Sequence, residues 1–263
     1  MGVSRQALYQ QAKRDEAKVE GLKPVLARVQ EVRRTLPRLG TRKLHYMLKP
    51  ELKVLNIKLG RDGLFTLLRQ HQLLVKPKRS YTKTTYSKHW MRKHPNLLHD
   101  KPINESETVF VSDITYVESK QGVHYLSLVT DAFSRKIMGY ELSHNMKASD
   151  TLKALQMALK NRHTRRPLIH HSDRGSQYCS ELYQACLRQH DIRPSMTDGY
   201  DCYQNALAER INGILKQEFL LYKCQTFNEL NALIAESIHS YNEMRPHLSL
   251  GMQTPNNVHK KAS

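Results

Sequence analysis

No apolar run in this chain approaches the ~20 residues that a bilayer-spanning helix requires, and nothing in the composition suggests a membrane segment. The first residues, MGVSRQALYQQAKRDE, lack the apolar core of a secretory signal, and Gln6 stands where a lipidation motif after Gly2 wants Ser or Thr. The expectation is a cytoplasmic protein with no membrane partner. Cysteine is scarce: Cys179, Cys186, Cys202 and Cys224 form no CxxC pair. That excludes a disulfide scaffold and leaves them reduced and structural. A zinc site from His170, His171 and Cys179 matches no structural zinc spacing. Acidic residues are short in one region only. Residues 1–104 hold 7 of the 24 Asp and Glu but 24 of the 42 Lys and Arg.

Nearly all of the +18 net charge therefore sits in the first two fifths of the chain. Charge so concentrated repels itself unless a polyanion neutralises it, and nucleic acid is the usual partner. A merely solubilising surface is the alternative. With 263 residues, the chain is long enough for one or two domains with real cores.

The front region reads as short helices. Leu22, Val25, Leu26, Val29, Val32 and Leu36 share one helical face within 21–36, with Arg28, Arg33 and Arg34 off it. A second short helix opens at Gly40–Thr41 and carries Leu44, Met47 and Leu48, with a break expected near Pro50. A third, within 57–74, turns Leu64, Leu67 and Leu68 inward and Arg61 and Arg69 outward, and 2–14 offers one more basic helix. Short helices with a basic exposed face suit a helix-turn-helix module, residues 1–75. From 76 to 104 the apolar period vanishes, and Tyr81, Tyr86 and Trp90 are interleaved with Lys, Arg and His. That stretch is a linker with cations for phosphate and rings for base stacking.

At Thr108 the character changes. TVFVSDITYV, VHYLSLVTD and KIMGYEL read as three strands of an antiparallel meander. A helix capped by Ser149 or Asp150 follows, then a strand at 168–172 and a helix through SELYQACLRQHD. A short strand at IRPSM and two helices, about 205–221 and 227–243, complete a mixed α/β domain over 105–263.

Three acids interrupt these elements. Asp113 is in mid-strand, Asp173 ends the strand begun at Leu168, and Glu209 lies inside a helix. Phosphodiester chemistry by two cations ~3.5–4 Å apart needs hard oxygen ligands brought together from different elements. On the last helix Asn205, Glu209 and Lys216 share a face, which places a lysine where it can steady a DNA phosphate. Asp131 reads as a turn residue, Glu218 points off that face, His170 and His171 read as core groups, and Arg174 as a DNA contact.

The stretches VSDITYV, HSDRGSQYCS, CYQNALAERINGILKQE and YNEMRPHLSLGMQTP resemble the DDE transposases of the IS3 family, and PRLGTRKLHYML more loosely resembles their helix-turn-helix segment. The resemblance implies a ribonuclease-H-like, retroviral-integrase-type core, a mixed sheet flanked by helices. Asp113, Asp173 and Glu209 would be its catalytic, metal-binding triad, with two Mg2+ per site and Mn2+ as a substitute. DNA contacts would come from Lys216, Asn205, Arg174, Arg42, Lys43, Arg61, Arg69, Lys76, Lys78 and Arg79. Implied partners are double-stranded DNA (terminal inverted repeats and target), further copies of the chain on that DNA, and an upstream-frame helix-turn-helix protein. This chain resembles the downstream-frame product. Gln204 stands where the family usually has Asp. A nucleoid-associated enzyme is the reading; a non-catalytic DNA-binding or regulatory subunit is the alternative.

Overall fold

The computed structural model describes residues 5–76, 90–98, 102–198 and 205–262. The chain separates into two compact units, Met1–Pro77 and Lys78–Ser263.

The first unit is helical. α1 runs from Arg5 to Thr35 as one 31-residue helix, where two were expected. α2 spans Thr41–Val54 and α3 Arg61–Gln70. Val25, Val29, Val32, Leu36 and Leu39 are buried, as are Leu44, Leu48, Leu52, Leu64, Leu67 and Leu68. Pro50 does not end α2, although its ring removes one backbone donor. The last turn is held from outside the helix: Leu52 is buried, and Glu51 accepts from Arg28 Nε at 2.8 Å. Arg33 donates to Leu73 O at 2.6 Å, tying the segment after α3 back to α1.

The second unit is built on a five-stranded sheet, β1 (Val109–Ser119), β2 (Gly122–Asp131), β3 (Ile137–Ser143), β4 (Ile169–Ser172) and β5 (Arg193–Met196), in the order β3-β2-β1-β4-β5. β1, β2 and β3 pair antiparallel; β1–β4 and β4–β5 pair parallel. The parallel pairs are joined through helices, as parallel strands demand. α4 (Ala148–Lys160) crosses to β4, while α5 (Ser176–Cys179) and α6 (Glu181–Gln189) cross to β5. Lys147, not Ser149 or Asp150, precedes α4, and it makes no side-chain cap bond. A cap is instead supplied at α6, where Ser180 Oγ accepts from Tyr183 N at 3.3 Å. That cap starts α6 where the helix through SELYQACLRQHD was expected, and α5 is a separate short turn ahead of it.

One sheet face carries the larger core. Phe110, Ile114, Val129 and Met138 pack with Leu152, Leu155, Tyr178, Tyr183 and Leu187. α4 presses so close on β3 that a Cβ on Gly139 would meet Ala154 O at 2.1 Å and Ala158 N at 2.6 Å. Those atoms are backbone and cannot step aside. Gly139→Ala should cost about 3 kcal/mol, read as a lower urea midpoint with an unchanged m-value.

The opposite face receives α7 (Ala206–Ile214), a π-helical turn (Leu215–Phe219) and α8 (Phe227–Glu243). The expected helix over 205–221 thus changes its winding at Leu215. Asn242 of α8 accepts from Ile137 N at 2.9 Å and donates to Ile137 O at 3.0 Å, covering edge strand β3. α9 (Pro255–Ala262) was not anticipated. It is fixed by polar groups. His259 Nε2 lies 3.2 Å from Glu107 Oε1, and its Nδ1 lies 3.0 Å from Ser134 Oγ. Burial alone would push the Glu107 carboxyl up, but backbone donors at His163 and Thr164 hold it below its usual range. Asp131 belongs to this network. It accepts from Ser134 N at 2.7 Å and Glu107 N at 2.6 Å, the turn role read from the sequence. Among the described residues no helix is long and apolar enough to cross a membrane.

Candidate active site

β1 is the middle strand, and its parallel register with β4 pairs Val109 with Ile169 and Val111 with His171. Two residues further along each strand come Asp113 and Asp173. Because side chains alternate with period two, both carboxylates leave at the same level and from the same face. β4 ends at Ser172, so Asp173 sits at the strand mouth, its Oδ1 accepting from Gly175 N at 3.0 Å. The backbone turns away around an Asp that stays fixed.

α7 lies across the same face. Asn205 donates to Ser112 O at 3.2 Å, Asn212 donates to Asp113 Oδ2 at 2.8 Å, and Lys216 Nζ lies 3.2 Å from Thr115 Oγ1. Positions 205, 209, 212 and 216 fall at helical spacing. Contacts with consecutive stretches of β1 on either side therefore bracket Glu209. Glu209 itself is exposed.

Like charges collect here. Burial, then the charge of Asp173, raises the Asp113 carboxyl to about 7, against the pull of its bonds from Asn212 and Ile114 N. Burial and Asp173 also raise Glu209. Burial lowers the Lys216 ammonium, while the negative charge of Asp113 works to keep it protonated. Each acid senses another, yet among the described residues no three His, Cys, Asp or Glu converge closely enough, as they stand, to hold one ion. The buried side-chain oxygens of Asn205 and Asn212 and the Tyr178 hydroxyl have no hydrogen-bond partner. Buried polar groups left like this need a ligand or water.

The sequence reading thus finds Asp113, Asp173, Glu209, Asn205 and Lys216 in one locality. It misses Asn212, although the same helical stripe passes through it. Arg174 is half-buried, 3.9 Å from Asp198. His170 and His171 are core groups. His170 Nε2 lies 2.8 Å from both Ser112 Oγ and Tyr183 OH, and burial lowers its pKa to about 3. His171 Nδ1 lies 2.9 Å from Ser195 Oγ. Glu218 faces away and binds Arg245. Arg42, Lys43, Arg61, Arg69 and Lys76 belong to the first unit. Lys43 is partly exposed and the others exposed, and Arg61 pairs with Asp62 at 2.9 Å. Lys78, Arg79, Tyr81, Tyr86, Cys202 and Gln204 lie outside the described residues.

Residues 104–202 match the family described as "Integrase core domain", and a second pattern of the same description matches 190–255. The "Insertion element IS600 uncharacterized 31 kDa protein" of Shigella sonnei is 38% identical over 226 residues, 84% of this chain and 81% of that one. "Transposase InsF for insertion sequence IS3A" of Escherichia coli (strain K12) is 33% identical over 204 residues, 74% of this chain and 68% of that one. Among solved structures, a chain of the "CryoEM structure of simian T-cell lymphotropic virus intasome in complex with PP2A regulatory subunit B56 gamma" superposes with a TM-score of 0.51. That match has 19% identity and covers 84% of this chain and 74% of the other. The likeness there is of fold alone.

Proposed function

The chain belongs to the IS3 family of insertion-sequence transposases, enzymes that cleave DNA and transfer its strands, and from that premise we propose that Asp113, Asp173 and Glu209 are its catalytic carboxylates. The observation that carries this is the β1–β4 register, which levels Asp113 with Asp173 beneath the helix that bears Glu209.

The donor set fits Mg2+, or Mn2+ in its place: all oxygen, no sulfur, and an unneutralised cluster that has raised Asp113 to about 7. Asp113, Asp173 and Glu209 would hold the ions between them, with the exposed Glu209 turning inward by a change of rotamer. When bound, such ions activate the attacking oxygen and stabilise the leaving one. The protein's own groups place the reactants. Asn212 holds the Asp113 carboxylate by its Oδ2 and Asn205 seats the start of α7 on β1. Lys216 presents a cation to the phosphate beside the scissile one. Water, then the freed 3′-hydroxyl, attacks phosphorus directly, so no side chain need become a covalent intermediate; catalysis is placement and charge stabilisation.

Residues 105–263 carry this chemistry, 1–75 grip DNA through Arg42, Lys43, Arg61 and Arg69, and 76–104 link the two while adding phosphate contacts at Lys76, Lys78 and Arg79, with Arg174 as a further one. The substrates are the terminal inverted repeats of the element and target DNA, brought together by more than one copy of the chain, with an upstream-frame helix-turn-helix partner.

Nicking of a duplex carrying an element end tests the reading. Wild type should free a 3′-hydroxyl in Mg2+ but not in EDTA, and Asp173→Asn should be inert while binding the same DNA. Equal inertness of both proteins, with DNA binding retained, would make the chain a regulatory DNA-binding subunit instead.

A further inference from the structure

Trp90, the only tryptophan of the chain, is 92% exposed. Its neighbours are not loose. Met91 packs against the core cluster that holds Tyr178, Cys179 and Met196. Pro95 O accepts from Met196 N at 3.3 Å, and Leu97 N donates to Ser195 Oγ at 2.9 Å. Residues 91–97 therefore run beside β5. From Leu97 back to Pro95 the contacts pass from Ser195 to Met196, toward the strand's exit. At that exit Thr197 N donates to Ser172 O, one residue before Asp173. Lys93, Arg174 and Asp173 all act electrostatically on Cys179, which places Lys93 at the same rim. Arg92 and Lys93, two and three residues on from Trp90, are exposed. Between 76 and 95 the sequence has seven Lys and Arg and no acid.

We propose that Trp90 is a stacking platform for an unpaired DNA base next to the catalytic carboxylates, a reading that rests on the transposase assignment above. An indole held in water by an anchored neighbour contributes nothing to the core of its own unit. An exposed ring in a stretch rich in cations matches a base whose phosphates the cations hold, the combination by which proteins grip single strands. A base inside a duplex has both faces covered by its neighbours. Apart from the outermost pair of a duplex, only an unstacked nucleotide can present a free one, and a cut site flanked by further DNA has no outermost pair. Trp90 would thus hold open the end being cut and set which nucleotide lies at the scissile phosphate.

The full chain reports on this through its indole fluorescence, excited where tyrosine does not absorb, since that signal has a single source. Wild type should be quenched by an oligonucleotide with a forked or single-stranded end, and little by a fully paired duplex bound to saturation. By anisotropy of labelled DNA, Trp90→Ala should bind forked ends about 5- to 100-fold more weakly, with paired-duplex affinity unchanged, and Trp90→Phe should recover most of the loss. Asp173→Asn should keep the quenching. If it does and wild type never nicks, the catalytic reading falls and the platform stands. If wild type nicks while forked ends neither quench nor discriminate Trp90→Ala, the platform falls alone. A Trp90→Ala protein that loses self-association in sedimentation, with forked-end binding intact, would also overturn it, making the indole a contact between copies.

Discussion

Asp113→Asn should lower strand cleavage by about a thousandfold or more and, in EDTA, make the protein more stable than wild type. Both effects have one cause. The carboxylate is recessed in β1 beside Asp173, and its folded pKa, about 7, stands above the ordinary aspartate value of 3.8. The raised value means that ionising Asp113 opposes folding. The penalty is absent below about pH 4, grows as pH rises, and is complete above about pH 7. At ~1.4 kcal/mol for each tenfold change in proton affinity, it reaches up to about 4 kcal/mol. Urea unfolding across pH 4–8 in EDTA should show wild type losing stability with rising pH and Asp113→Asn losing much less. Added Mg2+ should restore wild type and leave the variant unmoved. Parallel pH curves would mean that Asp113 does not bear the load assigned to it.

Arg245→Ala should destabilise the catalytic unit by about 3 kcal/mol or more. The guanidinium is almost wholly buried, 1% exposed. It binds Glu218 in two places, Nε to Oε2 at 2.8 Å and Nη2 to Oε1 at 2.5 Å, and lies over the Tyr241 ring at 5.9 Å. Removing it strands a half-buried carboxylate and leaves a void. Glu218 belongs to the π-helical turn that also holds Lys216. The variant should therefore lose catalysis beyond its loss of folded protein, because Lys216 is no longer held near Thr115. Replacing both partners by Met should recover stability without recovering catalysis, since the pair fixes the turn rather than merely filling space. Thermal melts and nicking rates per folded molecule separate the two effects. If the double variant cleaves like wild type, the clamp is structural only.

Much of this was legible in the residues, for identifiable reasons. The meander was readable because β1, β2 and β3 alternate or run apolar between clear turns. The acids stood out because an Asp in VFVSDITYV and another after LIHHS break apolar elements. The mixed α/β succession of elements was readable in the residues, whereas the ribonuclease-H-like fold was implied by the resemblance of the motifs around the acids. What failed is what local period cannot encode. Pro50 was expected to stop α2, yet Leu52 and Glu51 hold its last turn by packing and pairing with distant residues. A π-helical turn at Leu215–Phe219 leaves no mark on a 3.6-residue stripe. α9 is written as PNNVHKKA, too polar to announce a buried face. It is docked through His259 onto Glu107, a partner 152 residues away. Asn212 was within reach of the reasoning that found Glu209 and Lys216, but an asparagine raises no alarm until the carboxylate it holds is seen.

Everything catalytic here turns on whether Asp113, Asp173 and Glu209 enclose cations. Anomalous diffraction from crystals of the protein with an element-end DNA and Mn2+ measures that directly. The account predicts manganese peaks bounded by these three side chains and lost in Asp173→Asn. Peaks elsewhere, or none here while the DNA is cleaved, would contradict it.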